Sequence, residues 1–365
     1  MRVAVLLEQL LAPVPGGTGR YSAELATALA ATAPPGAAVT GWTAWHRDVG
    51  PARLPGVGGP RRLPLPRRPL VLAWERGRGP RPGGADLVHA PTLLLPPAGR
   101  RPLVVTVHDA VPWTHPQTLT PRGVRWHRAM AERAAEQAAA IVVPTRAVAD
   151  ELAGHLRPRG PVVVIGQGVS GRLALPADAD ERAARLALPD GPYLLSLATL
   201  EPRKGLDVLI EALARPGAPE VPLLLVGQPG WGDVDPEDAA ARAGLPAGRV
   251  RILGGIPDDD LAVVLARATA LVAPSRAEGF GLPVLEAMAA GTAVVSSDAP
   301  ALVEVGGGAT CVTPVGDAGA LADALARVVA DDGLRRGLEQ AGRRRAADHS
   351  WPAAAEQLWR LYQDL

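Results

Sequence analysis

Residues Ala277 to Gly291 read AEGFGLPVLEAMAAG, with Glu278 in a turn flanked by glycines and Glu286 about one turn into a helix that begins near Leu282. Phe280 is the only phenylalanine of the chain. The short apolar run Ala270–Ala273 precedes this segment and a second, Ala293–Ser296, follows it, so the stretch reads as strand, loop, helix, strand. That unit, repeated along the chain, predicts parallel sheets with helices on both faces.

Working outward, the second half offers further strands at Tyr193–Ala198, Leu223–Val226, Val250–Leu253 and Thr310–Thr313, and consecutive helices at Asp317–Ala330 and Leu334–Ala347. The first half offers strands at Val3–Leu7, Ala38–Ala44, Asp86–His89, Leu103–Val107, Ala140–Val143 and Val162–Ile165. Helices fall between them at Arg20–Ala33, Arg122–Ala138 and Arg146–Leu156, the last with Thr145 as N-cap. The fold class is therefore α/β, two Rossmann-like doubly wound domains facing a cleft, which suits 365 residues. The expected division is 1–170, a linker 171–191 rich in Gly, Pro, Ala and Asp, 192–350, and a terminal segment 351–365. Residues Pro51–Gly84, crowded with Pro, Gly and Arg, are expected to be a long loop interrupted by the apolar stretch Pro69–Trp74.

Composition bounds the function. The chain is biased toward Ala, Arg, Gly and Pro and contains no Asn, so arginine content by itself says little, whereas a rare residue says more. Its only lysine, Lys204, sits in TLEPRKG beside Arg203. A formal net charge of +1 gives no bulk attraction to nucleic acid. One cysteine permits no internal disulfide, and Glu8 interrupts what would be the apolar core of a signal peptide, so a cytoplasmic, non-spanning protein is expected. Clustered arginines in 51–84 beside an apolar anchor suggest a peripheral contact with anionic membrane on the inner face.

Four places carry candidate chemistry. Gly16, Gly17 and Gly19 lie between the first strand and the first helix, where backbone can approach a phosphate. His108 and Asp109 end the strand LVVTVHD, at the carboxyl edge where doubly wound folds place their sites; His108 could bond a polar substrate, with Asp109 orienting the loop or the imidazole. Arg203 and Lys204 occupy the same edge of the second domain, and a guanidinium fork beside a compact ammonium suits a diphosphate. At the start of the helix, the N–H groups of Phe280, Gly281 and Leu282 suit an anion, Glu286 could accept both hydroxyls of a ribose and Glu278 those of a sugar.

These residues resemble a family. EGFGLPVLEAMAAGTAVVSSD is similar to the donor-site motif of the nucleotide-sugar glycosyltransferases of family 4, which have the GT-B fold. PGGTGRY, VHD, VPTRAVADEL, LEPRKGLDVLIEAL, LLLVGQPGW, VRILGGIPDDDLAVVLARA and HSW fall in the family's order, so the resemblance covers nearly the full length. It implies that Glu286 binds ribose and Glu278 the transferred sugar, with Phe280, Gly281 and Leu282 near sugar and phosphate. Arg203 and Lys204 would stabilise the departing diphosphate, Gly16 and Gly17 would approach it, and His108 would contact the sugar. Many members carry Arg in a GR pair after the strand where this chain has Ala198 and Thr199; it resembles the EPRK branch, in which Arg203 takes that role.

The resemblance further implies a retaining transferase that needs no cofactor or catalytic metal, with a nucleotide-sugar donor, GDP-mannose favoured, and a glycan, lipid-linked or small-molecule acceptor. It also implies that the last helix, after Trp351, packs back on the first domain. A nucleotide-sugar hydrolase or epimerase, or a non-catalytic nucleotide-sugar-binding protein, is the alternative.

Overall fold

The computed structural model describes residues 1–232 and 235–365, which divide into two compact units. The first comprises Met1–Gly168 and Ser350–Leu365, the second Val169–His349.

In the first unit, β1 (Arg2–Leu6) leads through a short 3-10 turn into α1 (Gly16–Ala31), followed by β2 (Ala38–Trp45), β3 (Gly58–Pro66) and α2 (Arg67–Glu75). Then come β4 (Leu87–Ala90), β5 (Leu103–Thr106), the one-turn α3 (Val111–Thr114), α4 (Pro121–Gln137), β6 (Ala140–Val143), α5 (Arg146–Ala153) and β7 (Val162–Val164). All seven strands run parallel in the order β3-β2-β1-β4-β5-β6-β7. The central strands are buried on both faces, which is why they read as continuous apolar runs such as LVVT and AIVV.

The second unit opens with α6 (Ala179–Arg185) and continues through β8 (Leu194–Leu197), α7 (Leu206–Leu213), β9 (Leu223–Val226), α8 (Pro236–Arg242), β10 (Val250–Gly254) and α9 (Asp258–Arg267). It completes with β11 (Ala270–Ala273), α10 (Leu282–Ala290), β12 (Ala293–Ser297), α11 (Pro300–Gly306), β13 (Cys311–Thr313), α12 (Ala318–Ala330) and α13 (Asp332–Ala347). Its six parallel strands lie in the order β10-β9-β8-β11-β12-β13, so the winding reverses between β8 and β11. Crevices outside the carboxyl ends of strands at such a reversal are where doubly wound sheets bind ligands.

The final helix, α14 (Trp351–Gln363), belongs to the first unit. Ser350 caps it, and it packs along α1, with the Trp359 indole donating to Leu29 O at 3.1 Å. Tyr362 is buried and its hydroxyl lies 2.5 Å from His89 Nδ1. Among the described residues no helix is long and apolar enough to cross a membrane.

Two expectations need correction. Residues 51–84 are not a long loop: they form β3, at the edge of the sheet, and α2, whose Leu70 and Trp74 enter the core. Prolines at 60, 64 and 66 hide the strand, and an edge strand tolerates them because it needs fewer N–H donors. Residues 171–191 are likewise part of the second unit: Arg182 of α6 bonds Asp178 and reaches Asp260 of α9 at 2.7 Å, docking the segment through charged pairs that composition alone does not reveal.

Candidate active site

The winding reversal of the second unit places two loops side by side. The loop after β8 carries Glu201, Arg203 and Lys204, and the loop after β11 carries Ser275, Arg276 and Glu278. They are laced together by Arg276, whose backbone N–H donates to Arg203 O at 2.8 Å while its guanidinium reaches Pro202 O and both carboxylate oxygens of Asp207. Gly205 makes the approach possible: its φ is +66°, and a Cβ there would stand 2.2 Å from Pro274 O.

Across this seam Glu278 is held by three donors. Arg203 Nη1 donates to Oε2 at 2.9 Å, Lys204 Nζ to Oε1 at 2.7 Å, and Ser275 Oγ to Oε1 at 2.7 Å. Burial alone would raise the Glu278 pKa, but the adjacent Lys204 and Arg203 overcome it and hold the carboxyl down at about 2. Arg203 is forked, its other nitrogen donating to Glu201 at 2.6 Å. Burial pushes Glu201 upward against the pull of Arg203 and Lys204. Two carboxylates and two cations thus compose a nearly neutral cluster in which Arg203 is bound on both sides and Lys204 on one.

Helix α10 begins immediately after the loop. Gly281, its N-cap, has φ +96°, and a Cβ there would strike Leu302 at 2.5 Å. A small cavity lined by Lys204, Ser275, Glu278, Gly281 and Pro283 runs along this corner. Phe280 is buried, its ring in a T-shaped contact with His349 at 5.9 Å between centroids. Leu282 is buried as well, and Glu286, in the second turn of α10, is 3% exposed.

In the first unit, His108 follows β5 and its Nε2 lies 2.8 Å from Pro91 O. A carbonyl only accepts, so Nε2 carries the proton and Nδ1 is left as an acceptor. Burial lowers the His108 pKa, keeping the ring neutral. The Asp109 carboxylate accepts from Val111 N, at the first residue of α3, at 3.1 Å. The edge of the His108 ring meets Tyr21 with centroids 4.6 Å apart. Tyr21 in turn heads a buried chain from its hydroxyl to Thr106 (3.0 Å), from Thr106 to His89 (2.9 Å) and on to Tyr362. The glycine turn differs from the expectation in detail, since α1 starts at Gly16 rather than Arg20. No atom stands within 4 Å of where a Cβ would sit on Gly16 or Gly17, so their backbone is open to approach, whereas a Cβ on Gly19 would collide with Pro15.

Sequence reasoning brought out Lys204, Arg203 and Glu278, which the structure brings into contact. It missed Glu201, Ser275, Arg276 and Asp207, which hold them. Glu201 lies within the quoted EPRK run, and that adjacency was the available signal.

Residues 178–345 match the glycosyl transferases group 1 and residues 15–170 match glycosyltransferase family 4. The D-inositol 3-phosphate glycosyltransferase of Jonesia denitrificans is 31% identical over 330 residues, covering 80% of this chain and 74% of that protein. The O-antigen chain mannosyltransferase B of Escherichia coli is 36% identical over 174 residues, covering 47% of this chain and 45% of that protein, so the match spans under half of that relative. Among solved structures, the sucrose-phosphate synthase of Thermosynechococcus elongatus aligns with a TM-score of 0.77 at 26% identity, covering 100% of this chain and 98% of that one. The chain belongs to the group 1, family 4 glycosyltransferases, and its two-domain α/β architecture is that of their GT-B fold.

Proposed function

We propose that the protein transfers a hexose from a nucleotide-diphosphate sugar to a hydroxyl of a glycan, lipid-linked or small-molecule acceptor, with retention of anomeric configuration and without a catalytic metal. The observation that carries this reading is the convergence of Lys204 and Arg203 on Glu278 beside the start of α10. Cleavage of a glycosidic bond to diphosphate builds negative charge on the leaving group. Lys204 and the α10 N–H groups supply the opposing charge without a metal, in a site where they are already ordered.

The ionised Glu278 can accept hydrogen bonds from sugar hydroxyls, but with three donors already on its oxygens it is a poor nucleophile. Front-face attack by the acceptor hydroxyl, its proton passing to the leaving phosphate, fits such a site better than a covalent glycosyl-enzyme. Glu286 is assigned to the ribose. On the first unit, His108 Nδ1 is assigned to a sugar hydroxyl, and the open backbone of Gly16 and Gly17 to phosphate.

GDP-mannose is the favoured donor, supported by the mannosyl transfer of the Escherichia coli relative. A thermal-shift panel of GDP, UDP and dTDP sugars tests this, since a selective ligand stabilises the folded chain. Incubation of the stabilising donor without acceptor separates transfer from the alternatives: rapid acceptor-independent breakdown would make the protein a hydrolase or epimerase, and no turnover with any acceptor would make it a binding protein. Full turnover in EDTA is expected.

A peripheral contact with anionic membrane is favoured by α2, which exposes Leu72 on the same short helix as Arg68 and Arg76 flanks it, the arrangement of an interfacial anchor. Co-sedimentation with anionic but not zwitterionic vesicles is the expected result, and equal binding to neither would remove it.

A further inference from the structure

Tyr21 of α1 stands between His108 and the last helix, and α14 reaches it by two routes. The Tyr21 ring meets the His108 imidazole at 4.6 Å between centroids and 86° between planes, and the Trp351 indole at 5.7 Å and 62°. Its hydroxyl opens the chain through Thr106 and His89 to Tyr362. Trp351 begins α14 and Tyr362 lies about three turns further along the same face, with Ala355 and Leu358 buried between them. One helix therefore holds Tyr21 by its ring at one end and by its hydroxyl at the other.

Stability alone does not call for this arrangement. A buried hydroxyl or imidazole loses its water, and the hydrogen bond made on folding recovers little more than that loss, so an apolar core would hold α14 as well. The chain has only 3 tyrosines and two of them meet in this network, so composition does not supply them by default. Burial raises both phenols and lowers the His89 imidazole, so the links are neutral and carry no charge toward His108. What a satisfied buried network transmits is position, because each member fixes the next.

His108 needs such a constraint. Its Nε2 donates to Pro91 O at 2.8 Å, and one hydrogen bond fixes one nitrogen but not the plane of the ring. The Tyr21 ring, standing almost perpendicular to the imidazole, sets that plane and with it the direction of the Nδ1 lone pair. Thr106, the last residue of β5, lies just before His108 in sequence, so one strand carries both the residue to be placed and the link that places it.

We propose that Tyr21 is a positioning residue for His108, setting the plane of its imidazole, and that α14 braces Tyr21 through Trp351 and Tyr362. The inference rests on the assignment of His108 Nδ1 to a sugar hydroxyl. Because misplacement by about 1 Å can cost on the order of 10²-fold in rate, loss of the Tyr21 ring is expected to lower kcat by about tenfold or more. The Kd of the nucleoside diphosphate, which carries no sugar, is expected to stay the same.

Proton–nitrogen NMR of the imidazoles in the full chain tests the positioning, and steady-state kinetics test its consequence. The His108 signals are identified by their loss in H108Q. In Y21L they are expected to shift or broaden as kcat falls, whereas Y21F, which keeps the ring and cuts only the hydroxyl link, is expected to restore most of the rate. Y362F, which cuts the link at its far end, is expected to move the His108 signals as Y21F does. In the H108Q background, Y21L is expected to cost nothing further. Unmoved His108 signals in folded Y21L, or the same fold loss of kcat with and without His108, would overturn the proposal. Should Y21L not fold, Y21F and T106V decide it, since each removes one hydroxyl and keeps the surrounding packing; His108 signals identical to wild type in both would overturn it. Full turnover in H108Q would remove the sugar assignment and leave the positioning to the spectra, where a displaced His108 in Y21L still supports it.

Discussion

Lys204 Nζ lies 2.7 Å from Glu278 Oε1, so in the unliganded protein the only lysine of the chain is committed to the carboxylate assigned to the sugar. Arg203 is saturated between Glu201 and Glu278, which leaves Lys204 as the cation a diphosphate can recruit. Lys204→Ala is therefore expected to lower kcat by about 10²-fold or more, the scale of losing one preorganised charge donor, while donor Kd rises far less. Single-turnover kinetics separate the two quantities. Full turnover in the variant would contradict the leaving-group role.

Glu286 sits within α10 at 3% exposure and is assigned to the ribose. Glu286→Ala is expected to weaken donor binding by about tenfold or more, as for loss of a hydrogen bond to a charged group, with a smaller effect on the chemical step. Titration with the nucleoside diphosphate alone checks the assignment, because the loss should persist without the sugar.

The ionised state of Glu278 has a signature in acid. Its pKa in the folded chain, about 2, lies below its ordinary 4.5, so the stability it contributes is complete above about 4.5 and is lost as pH falls toward 2. Glu201, raised by burial, works in the opposite sense and blunts the effect. Calorimetric melting between pH 5 and pH 3 should show the wild-type transition of the second unit falling more steeply than that of Glu278→Gln. Parallel slopes would mean that the pair does not hold the carboxyl down.

The chain from Tyr362 through His89 and Thr106 to Tyr21 ties α14 to the sheet beneath His108. Tyr362→Phe keeps the ring and leaves His89 Nδ1 buried without its hydrogen-bond partner, at a cost of about 1–3 kcal/mol. For a unit of this size that corresponds to a fall of about 2–12 °C in Tm, at roughly 2–4 °C per kcal/mol. An unchanged melting temperature would show that the hydroxyl is dispensable. His89 itself is held neutral, burial and then the nearby His108 pressing its pKa to about 3.

The central strands and the helices between them were legible because parallel strands buried on both faces read as apolar runs, as LLLV at β9 does. The edge strand β3 was not, since only Leu63 of its nine residues is buried and prolines break its alternation. Helix α6 escaped notice for a different reason: it docks through Arg182 onto Asp259 and Asp260, a contact between residues almost eighty positions apart. The same distinction holds at the site. Lys204 stood out as a singular residue and Glu278 by its place before a helix. The Arg276 clamp and the Glu201 fork exist only once β8 and β11 are neighbours.

The most direct measurement is nucleoside-diphosphate release from the donor selected by thermal shift, followed with and without acceptor for the wild-type chain and Lys204→Ala. The account predicts acceptor-dependent release by the wild type that falls about a hundredfold or more in the variant while the donor still binds. Release that needs no acceptor, or that survives the loss of Lys204, would contradict it.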